Sequence, residues 1–258
     1  MPRFGLLGKQ LGHSFSKAWF NAKFEREGLI DFSYHNLETE NLYNLRQLLL
    51  SEGINGFNVT VPYKRMVMDF LDEIDPVAAH IGAVNTVVVE DGRLRGYNTD
   101  HSGFSKTLKP LLKPWHTAAL ILGTGGAARA VAYVLDALMI DYRYVSRKPE
   151  LHTECNALSY ASLTAKDVRN APVIINASPA GMFPDTDSAP DIPYSGFEKF
   201  HLAYDLVYNP AETVFLQKSG ARGAQTLNGH PMLIAQAEAS WEIWKKSLKD
   251  SGQPSQSF

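Results

Sequence analysis

The glycines of the stretch Thr117–Ala130, TAALILGTGGAARA, are spaced to hold a phosphate. Gly123, Gly125 and Gly126 follow the apolar run Ala118–Leu122 at once, and the small residues Ala127 and Ala128 continue into a helix-forming sequence that extends to about Met139. A short buried strand that feeds a glycine turn and opens a helix is the phosphate-binding corner of a dinucleotide fold. Glycine lets the backbone approach a pyrophosphate, and the helix N-terminus offers unpaired N–H groups and positive partial charge. The spacing is G-x-G-x-x-A, with Ala128 small enough for the helix to pack on the strand. A second strand, Tyr142–Ser146, falls where a βαβ unit needs it. An NAD enzyme usually ends that strand on an acid that takes the ribose hydroxyls. Here it ends on Ser146, Arg147 and Lys148. Two cations and a hydroxyl suit a 2′-phosphate, because guanidinium makes charge-assisted, often bidentate bonds to phosphate. These residues point to NADP.

A second polar set stands at the expected ends of other strands: Ser14, Ser16, Asn58, Thr60, Lys64, Asn85, Asn98 and Asp100. Open α/β sheets bind ligands at the carboxyl ends of their strands. Short hydrogen-bonding groups with one lysine suit a small polyhydroxylated ligand carrying a carboxylate. Singly, each has a plainer role: Asn and Ser after strands make turns, and Asp100 can cap the helix that follows it. The chemistry rests on the set.

The elements that must position these residues follow from apolar periodicity. Phe4–Gly8 reads as a strand, followed by an amphipathic helix with Trp19, Phe20 and Phe24 on one side. Phe32–Asn36 is a strand by alternation, and Leu42, Leu45, Leu48 and Leu49 mark a helix that Gly53 stops. Phe57–Val61 alternates and ends at Pro62; Ala83–Val89 is another strand, and the Asp91-Gly92 turn returns it along Leu94–Tyr97. Beyond the glycine corner come strands at Val173–Asn176 and Leu202–Leu206, a proline-rich loop from Pro179 to Gly196, a helix over Glu212–Lys218 and a long helix from about Pro231. Between Arg147 and Asn170 a short strand and helix are expected. The polar end from about Asp250 is expected to be disordered.

At 258 residues the chain suits one large domain or two modest ones. A net charge of −2 with dispersed basic residues implies no nucleic-acid partner. The single Cys155 fits a reducing compartment. No signal peptide or run of ~18 apolar residues is present, so a soluble cytoplasmic protein without a membrane partner is expected. The histidines show no zinc spacing, and no metal site is expected.

The chain resembles the shikimate dehydrogenases, NADP-dependent enzymes that reduce 3-dehydroshikimate on the route to chorismate and the aromatic amino acids. The resemblance spans nearly the whole sequence: HSFS at 13–16, NVTVPYK at 58–64, GAVNT at 82–86, GYNTD at 96–100, GTGGAA at 123–128, DLVYNP at 205–210 and MLIAQA at 232–237. It implies two α/β domains, a substrate-binding domain of residues 1–101 plus 229–258 and a Rossmann-like NADP-binding domain of residues 102–228, with the active site in the cleft between. It further implies a small-molecule substrate and a monomer or homodimer.

By position, the resemblance assigns the substrate carboxylate to Ser14 and Ser16, helped by Tyr208. It assigns the ring hydroxyls to Asn58, Thr60, Asn85, Asp100 and Gln236, and catalysis to Lys64 and Asp100. Gly123, Gly125, Gly126 and Ala127 would meet the pyrophosphate, Ser146, Arg147 and Lys148 the 2′-phosphate, and Met232 the nicotinamide. The sequence departs from the family pattern at Lys17, where proline is usual, at Pro179 in the Asn176–Met182 stretch, and at Asn228–Pro231. Two alternatives remain: a quinate/shikimate paralogue with altered substrate, against which Arg147 speaks, and a non-catalytic dinucleotide-binding regulator, which has no need of the Lys64 and Asp100 pair.

Overall fold

Strand-forming and helix-forming stretches alternate along the chain. The computed structural model, which describes residues 1–12, 15–151 and 157–250, gathers the strands into two six-stranded sheets. Ser14 and Cys155 lie outside the described residues, as does the tail 251–258. The chain divides into two compact units, Met1–Thr99 with Ala237–Phe258, and Asp100–Gln236.

The first unit runs β1 (Arg3–Gly8), α1 (Phe15–Arg26), β2 (Ser33–Glu38), α2 (Leu45–Glu52), β3 (Ile54–Val59), α3 (Tyr63–Met66), β4 (Glu73–Ile74), α4 (Pro76–Ile81), β5 (Thr86–Glu90) and β6 (Arg93–Tyr97). Its sheet order is β2-β1-β3-β5-β6-β4. β1 is parallel to β2 and β3, whereas β5 is antiparallel to both β3 and β6. The β5–β6 reversal is the two-residue turn read from the sequence, with φ of 48° at Asp91 and 76° at Gly92. Positive φ at both central residues is what matches a hairpin to the strand twist.

Side chains alternate across this sheet, so each face packs its own core. Leu7, Phe57, Val59 and Val87 face one side with Leu45, Leu49 and Val67. Phe4, Tyr34 and Val88 face the other, with Phe20 and Phe24 of α1 and Trp241 and Trp244 of the chain's last helix. Trp244 stacks on Phe4 with ring centroids 4.6 Å apart, and its indole N–H donates to the Val87 carbonyl at 3.0 Å. A Cβ on Gly56 would lie 2.5 Å from that indole nitrogen, so the ring rests on bare backbone. Lys23 of α1 is buried between Glu27 at 2.7 Å and Glu238 at 2.8 Å. Two carboxylates and the face of Trp19 compensate the ammonium for lost water.

The second unit holds α5 (Asp100–Leu108), β7 (Ala118–Leu122), α6 (Gly126–Ala137), β8 (Asp141–Ser146), β9 (Leu158–Ser159), α7 (Ala165–Arg169), β10 (Val173–Asn176), β11 (Leu202–Asp205), α8 (Val214–Gly220) and β12 (Gln225–Leu227). The last helix, α9 (His230–Asp250), begins there and continues into the first unit. All strands are parallel, in the order β12-β11-β10-β7-β8-β9. This is the doubly wound Rossmann order, and it reverses direction between β7 and β10. Ala119, Ile121 and Ile175 pack with Phe104, Val131 and Leu135 on one face. Leu120, Leu122 and Ile174 pack with Val168, Phe197 and Phe215 on the other. Burial on both faces explains why these strands read as unbroken apolar runs.

Candidate active site

In the first sheet the carboxyl ends of β1, β3 and β6 and the amino end of β5 share one edge, because β5 alone among them is reversed. Thr60 follows β3 directly: its N–H donates to the Leu7 carbonyl at 2.9 Å, and its own carbonyl accepts from Tyr63 at 2.9 Å. That turn ends the strand at Val59, short of the Val61 expected from alternation, and starts α3. Lys64 sits half-buried in α3, its carbonyl held by the Val84 N–H at 2.8 Å. Asn85, 2% exposed, accepts from the Thr99 N–H at 2.6 Å and donates to the Thr99 hydroxyl at 3.0 Å. Asn98, also buried, donates to the Ala83 carbonyl at 2.9 Å. Ser16 lies half-buried in the first turn of α1, and Ser14 lies outside the described residues. The edge thus gathers Thr60, Lys64, Asn85 and Asn98. Asp100, buried, is the first residue of α5 and of the second unit.

Asn58 has a different situation from its neighbours. Its side-chain oxygen accepts from the Tyr34 hydroxyl at 2.8 Å. Its amide nitrogen reaches the Asn85 carbonyl at 3.1 Å, Thr86 Oγ1 at 3.1 Å and Ser240 Oγ at 2.9 Å. Thr86, Thr99 and Ser240 are hydrogen-bonded to one another at 2.8–3.2 Å. This buried network underlies the edge that carries Thr60 and Asn85. Tyr34, Thr86, Thr99 and Ser240 were not singled out by sequence, since each is ordinary at its position in a strand or helix.

In the second unit the glycine turn leaves open space before the N-terminus of α6. Gly125 precedes α6 in extended conformation, offers the helix no side-chain cap, and a Cβ added to it would meet nothing within 4 Å. Gly123 has φ of 117°, and a Cβ there would lie 3.0 Å from the Ala177 carbonyl oxygen. The turn therefore packs on the segment after β10, at the point where the strand order reverses. Beyond β8, Ser146 is buried and accepts from the Lys148 N–H at 3.1 Å, while Arg147 and Lys148 are exposed. Two solvent-facing cations at the end of the second strand fit a dianionic phosphate. Tyr160 lies where the charge of Arg147 and the hydroxyl of Ser178 both act on it. Burial nevertheless pushes its phenol up to about 12.

The remaining assigned residues belong to α9 and the segment after β11. Met232 is buried in the core beside Phe104 and Tyr204. Gln236, 9% exposed, donates to the Leu233 carbonyl at 3.0 Å. A Cβ on Gly103 would lie 2.8 Å from the Met232 carbonyl, so α5 packs closely on the start of α9. Tyr208 is half-buried, and desolvation raises its phenol above the ordinary value. Asp205, fully buried at the end of β11, is pushed up to about 6 by desolvation against hydrogen bonds that favour the charged form.

These features have close parallels. The family model of the shikimate dehydrogenase substrate-binding domain matches residues 6–87. The NADP(+) shikimate dehydrogenase of Methanococcus maripaludis is 40% identical over 262 residues, covering 95% of this chain and 92% of that protein. The solved shikimate 5-dehydrogenase of Thermus thermophilus, in complex with NADP(H) and shikimate, is 35% identical with a TM-score of 0.83, covering 95% of this chain and 94% of the other. The quinate dehydrogenase of Corynebacterium glutamicum in complex with NAD is 29% identical, with a TM-score of 0.82, 95% of this chain and 94% of the other being covered. The chain belongs to the shikimate dehydrogenase family.

Proposed function

We propose that this protein catalyses the reversible NADPH-dependent reduction of 3-dehydroshikimate to shikimate, within the shikimate pathway. The observation that carries the reading is the edge of the first sheet, where Thr60, Lys64 and Asn85 converge in a chain 40% identical to an NADP(+) shikimate dehydrogenase over 95% of its length. Residues 1–101 and 229–258 serve mainly the substrate and residues 102–228 mainly NADP, Tyr208 and Met232 being the exceptions. Ser14, Ser16 and Tyr208 take the carboxylate; Thr60, Asn85, Asp100 and Gln236 take the ring hydroxyls. Asn58, which the resemblance also assigns to the ring hydroxyls, has its side-chain oxygen and nitrogen bonded within the protein, so here it supports Asn85 and Thr86 through the hydrogen bonds it makes to them. Gly123, Gly125, Gly126 and Ala127 receive the pyrophosphate at the N-terminus of α6, Ser146, Arg147 and Lys148 receive the 2′-phosphate, and Met232 lies on the nicotinamide side. The single cysteine fits a cytoplasmic setting. No described helix is long and apolar enough to cross a membrane.

The bound dinucleotide supplies the hydride acceptor in one direction and the donor in the other. The protein handles the proton. In reduction, the carbonyl oxygen gains negative charge; Lys64, as ammonium, stabilises that oxygen and gives it a proton. In oxidation the neutral amine takes the proton back. Asp100 accepts from a substrate hydroxyl and orients it for the transfer.

Mixing the purified protein with shikimate and NADP, and separately with quinate and NAD, tests the reading. Reduced-nicotinamide absorbance should rise fastest with shikimate and NADP. Absence of turnover with shikimate under either cofactor would sink it. Arg147→Ala should raise the KM for NADP by ~10–100-fold, the loss of a charge-assisted bond, and leave that for NAD within ~3-fold. Equal effects on both cofactors would remove the 2′-phosphate assignment.

A further inference from the structure

β10 and β11 end side by side, with Asn176 opposite Asp205. The Asp205 carboxylate, with no solvent exposure, accepts from Asn176 Nδ2 at 2.9 Å, from the Val207 N–H at 2.9 Å and from the Thr213 hydroxyl at 2.5 Å. All three partners are donors, so a group that only accepts satisfies them together. Each partner leads to a different piece of structure. Thr213 caps α8, accepting from the Leu216 N–H at 3.3 Å. Asn176 donates to the Ala180 carbonyl at 3.1 Å, and its oxygen accepts from the N–H and hydroxyl of Ser178, which shapes the segment packed on Gly123. Val207 leads straight to Tyr208.

The Val207 segment is held from both sides. Asp205 takes its N–H, and its carbonyl accepts from the Gly229 N–H at 3.0 Å. The peptide units on either side of Val207 are therefore both fixed, and the second of them contains the nitrogen of Tyr208. A phenol can hold a ligand tightly only if its backbone does not have to be ordered on binding, because that ordering costs affinity.

We infer that Asp205 is a positioning residue for Tyr208: by accepting the Val207 N–H it fixes the backbone from which Tyr208 reaches the substrate carboxylate. The inference rests on the assignment of Tyr208 to that carboxylate. Asp205 touches no reacting atom; it acts through the chain. The competing role is purely architectural, with Asp205 serving only to hold the capping Thr213 of α8 and to join the ends of β10 and β11 through Asn176.

A double-mutant cycle read by calorimetric shikimate affinity separates the two. Tyr208→Phe and Asp205→Ala should each weaken shikimate binding by ~10-fold, the effect of one lost hydrogen bond to a charged ligand. The double variant should be no more than ~3-fold weaker than the stronger single, because both changes remove one contact. Multiplying effects, or unchanged affinity in Asp205→Ala, would overturn the inference. Asp205→Asn keeps an oxygen for Val207 while the Thr213 hydroxyl turns to accept, so its affinity should stay within ~3-fold of the parent protein. A loss equal to that of alanine would also overturn it. Melting curves accompany each variant, and if Asp205→Ala does not fold, Asp205→Ser takes its place in the same cycle. A parent protein that binds no shikimate at all would fail the functional reading itself and the inference with it, whereas normal parent binding with an additive cycle fails the inference alone.

Discussion

Lys64→Ala lowers the turnover of shikimate oxidation by ~10²–10⁴-fold, the range expected when a positioned acid–base group is removed. The change falls on turnover because the interaction with developing charge is made in the transition state, so shikimate affinity moves far less. The local fold should survive. The Val84 N–H donates to the Lys64 carbonyl, a backbone bond that the substitution keeps. Asp100→Asn reduces both turnover and affinity, since Asp100 is assigned a substrate hydroxyl as well as the lysine. Both are assigned to one proton step, so the double variant should be less impaired than the product of the singles. Steady-state kinetics on the four proteins, with melting curves to confirm folding, checks this. A folded Lys64→Ala enzyme with near-parental turnover would leave the proton step without its residue.

The central strands of the second sheet were legible because they are buried on both faces. Ala118–Leu122 and Val173–Asn176 read directly as apolar runs, and the structure places strands at those same residues. Asp91-Gly92 fixed the hairpin by local backbone chemistry alone. The short edge strands were not legible: β4 has two residues and β12 three, each with little burial, so neither shows a period. β3 ends two residues before its alternation does, because the Tyr63 N–H bonds back to Thr60. Long-range contacts left no local trace either. Nothing near Gly56 announces the indole of Trp244, and nothing near Lys23 announces Glu238. The site followed the same division. Glycines and cations at strand ends carry their chemistry in their types, whereas Tyr34, Thr86, Thr99 and Ser240 acquire a role through partners distant in sequence.

Asn58 is where these two kinds of information meet, and its replacement has a large expected effect on stability. Asn58→Leu keeps the number and branching of the side-chain heavy atoms and removes every polar atom beyond the backbone. The Asn85 carbonyl retains the Val59 N–H at 2.9 Å, and Thr86 and Ser240 retain each other at 2.8 Å. Tyr34 loses its acceptor, at a buried position shielded from solvent. One orphaned buried hydroxyl and two weakened neighbours should cost on the order of 3 kcal/mol, or roughly 6–12 °C in Tm for a protein of this size. Adding Tyr34→Phe removes the orphaned group, so the double variant should recover about 1 kcal/mol relative to Asn58→Leu. Tyr34→Phe alone should instead destabilise by about 1–2 kcal/mol, because it leaves the Asn58 oxygen without that donor. Thermal and denaturant melts of the three variants measure this coupling, and calorimetry with shikimate measures the ligand side. If Asn58 supports the edge of the sheet, the melts shift while the shikimate affinity of the folded protein changes by no more than ~5-fold, since the ring hydroxyls are met by its neighbours. An unshifted melt accompanied by a large loss of shikimate affinity would make Asn58 a direct ligand and the network beneath it incidental.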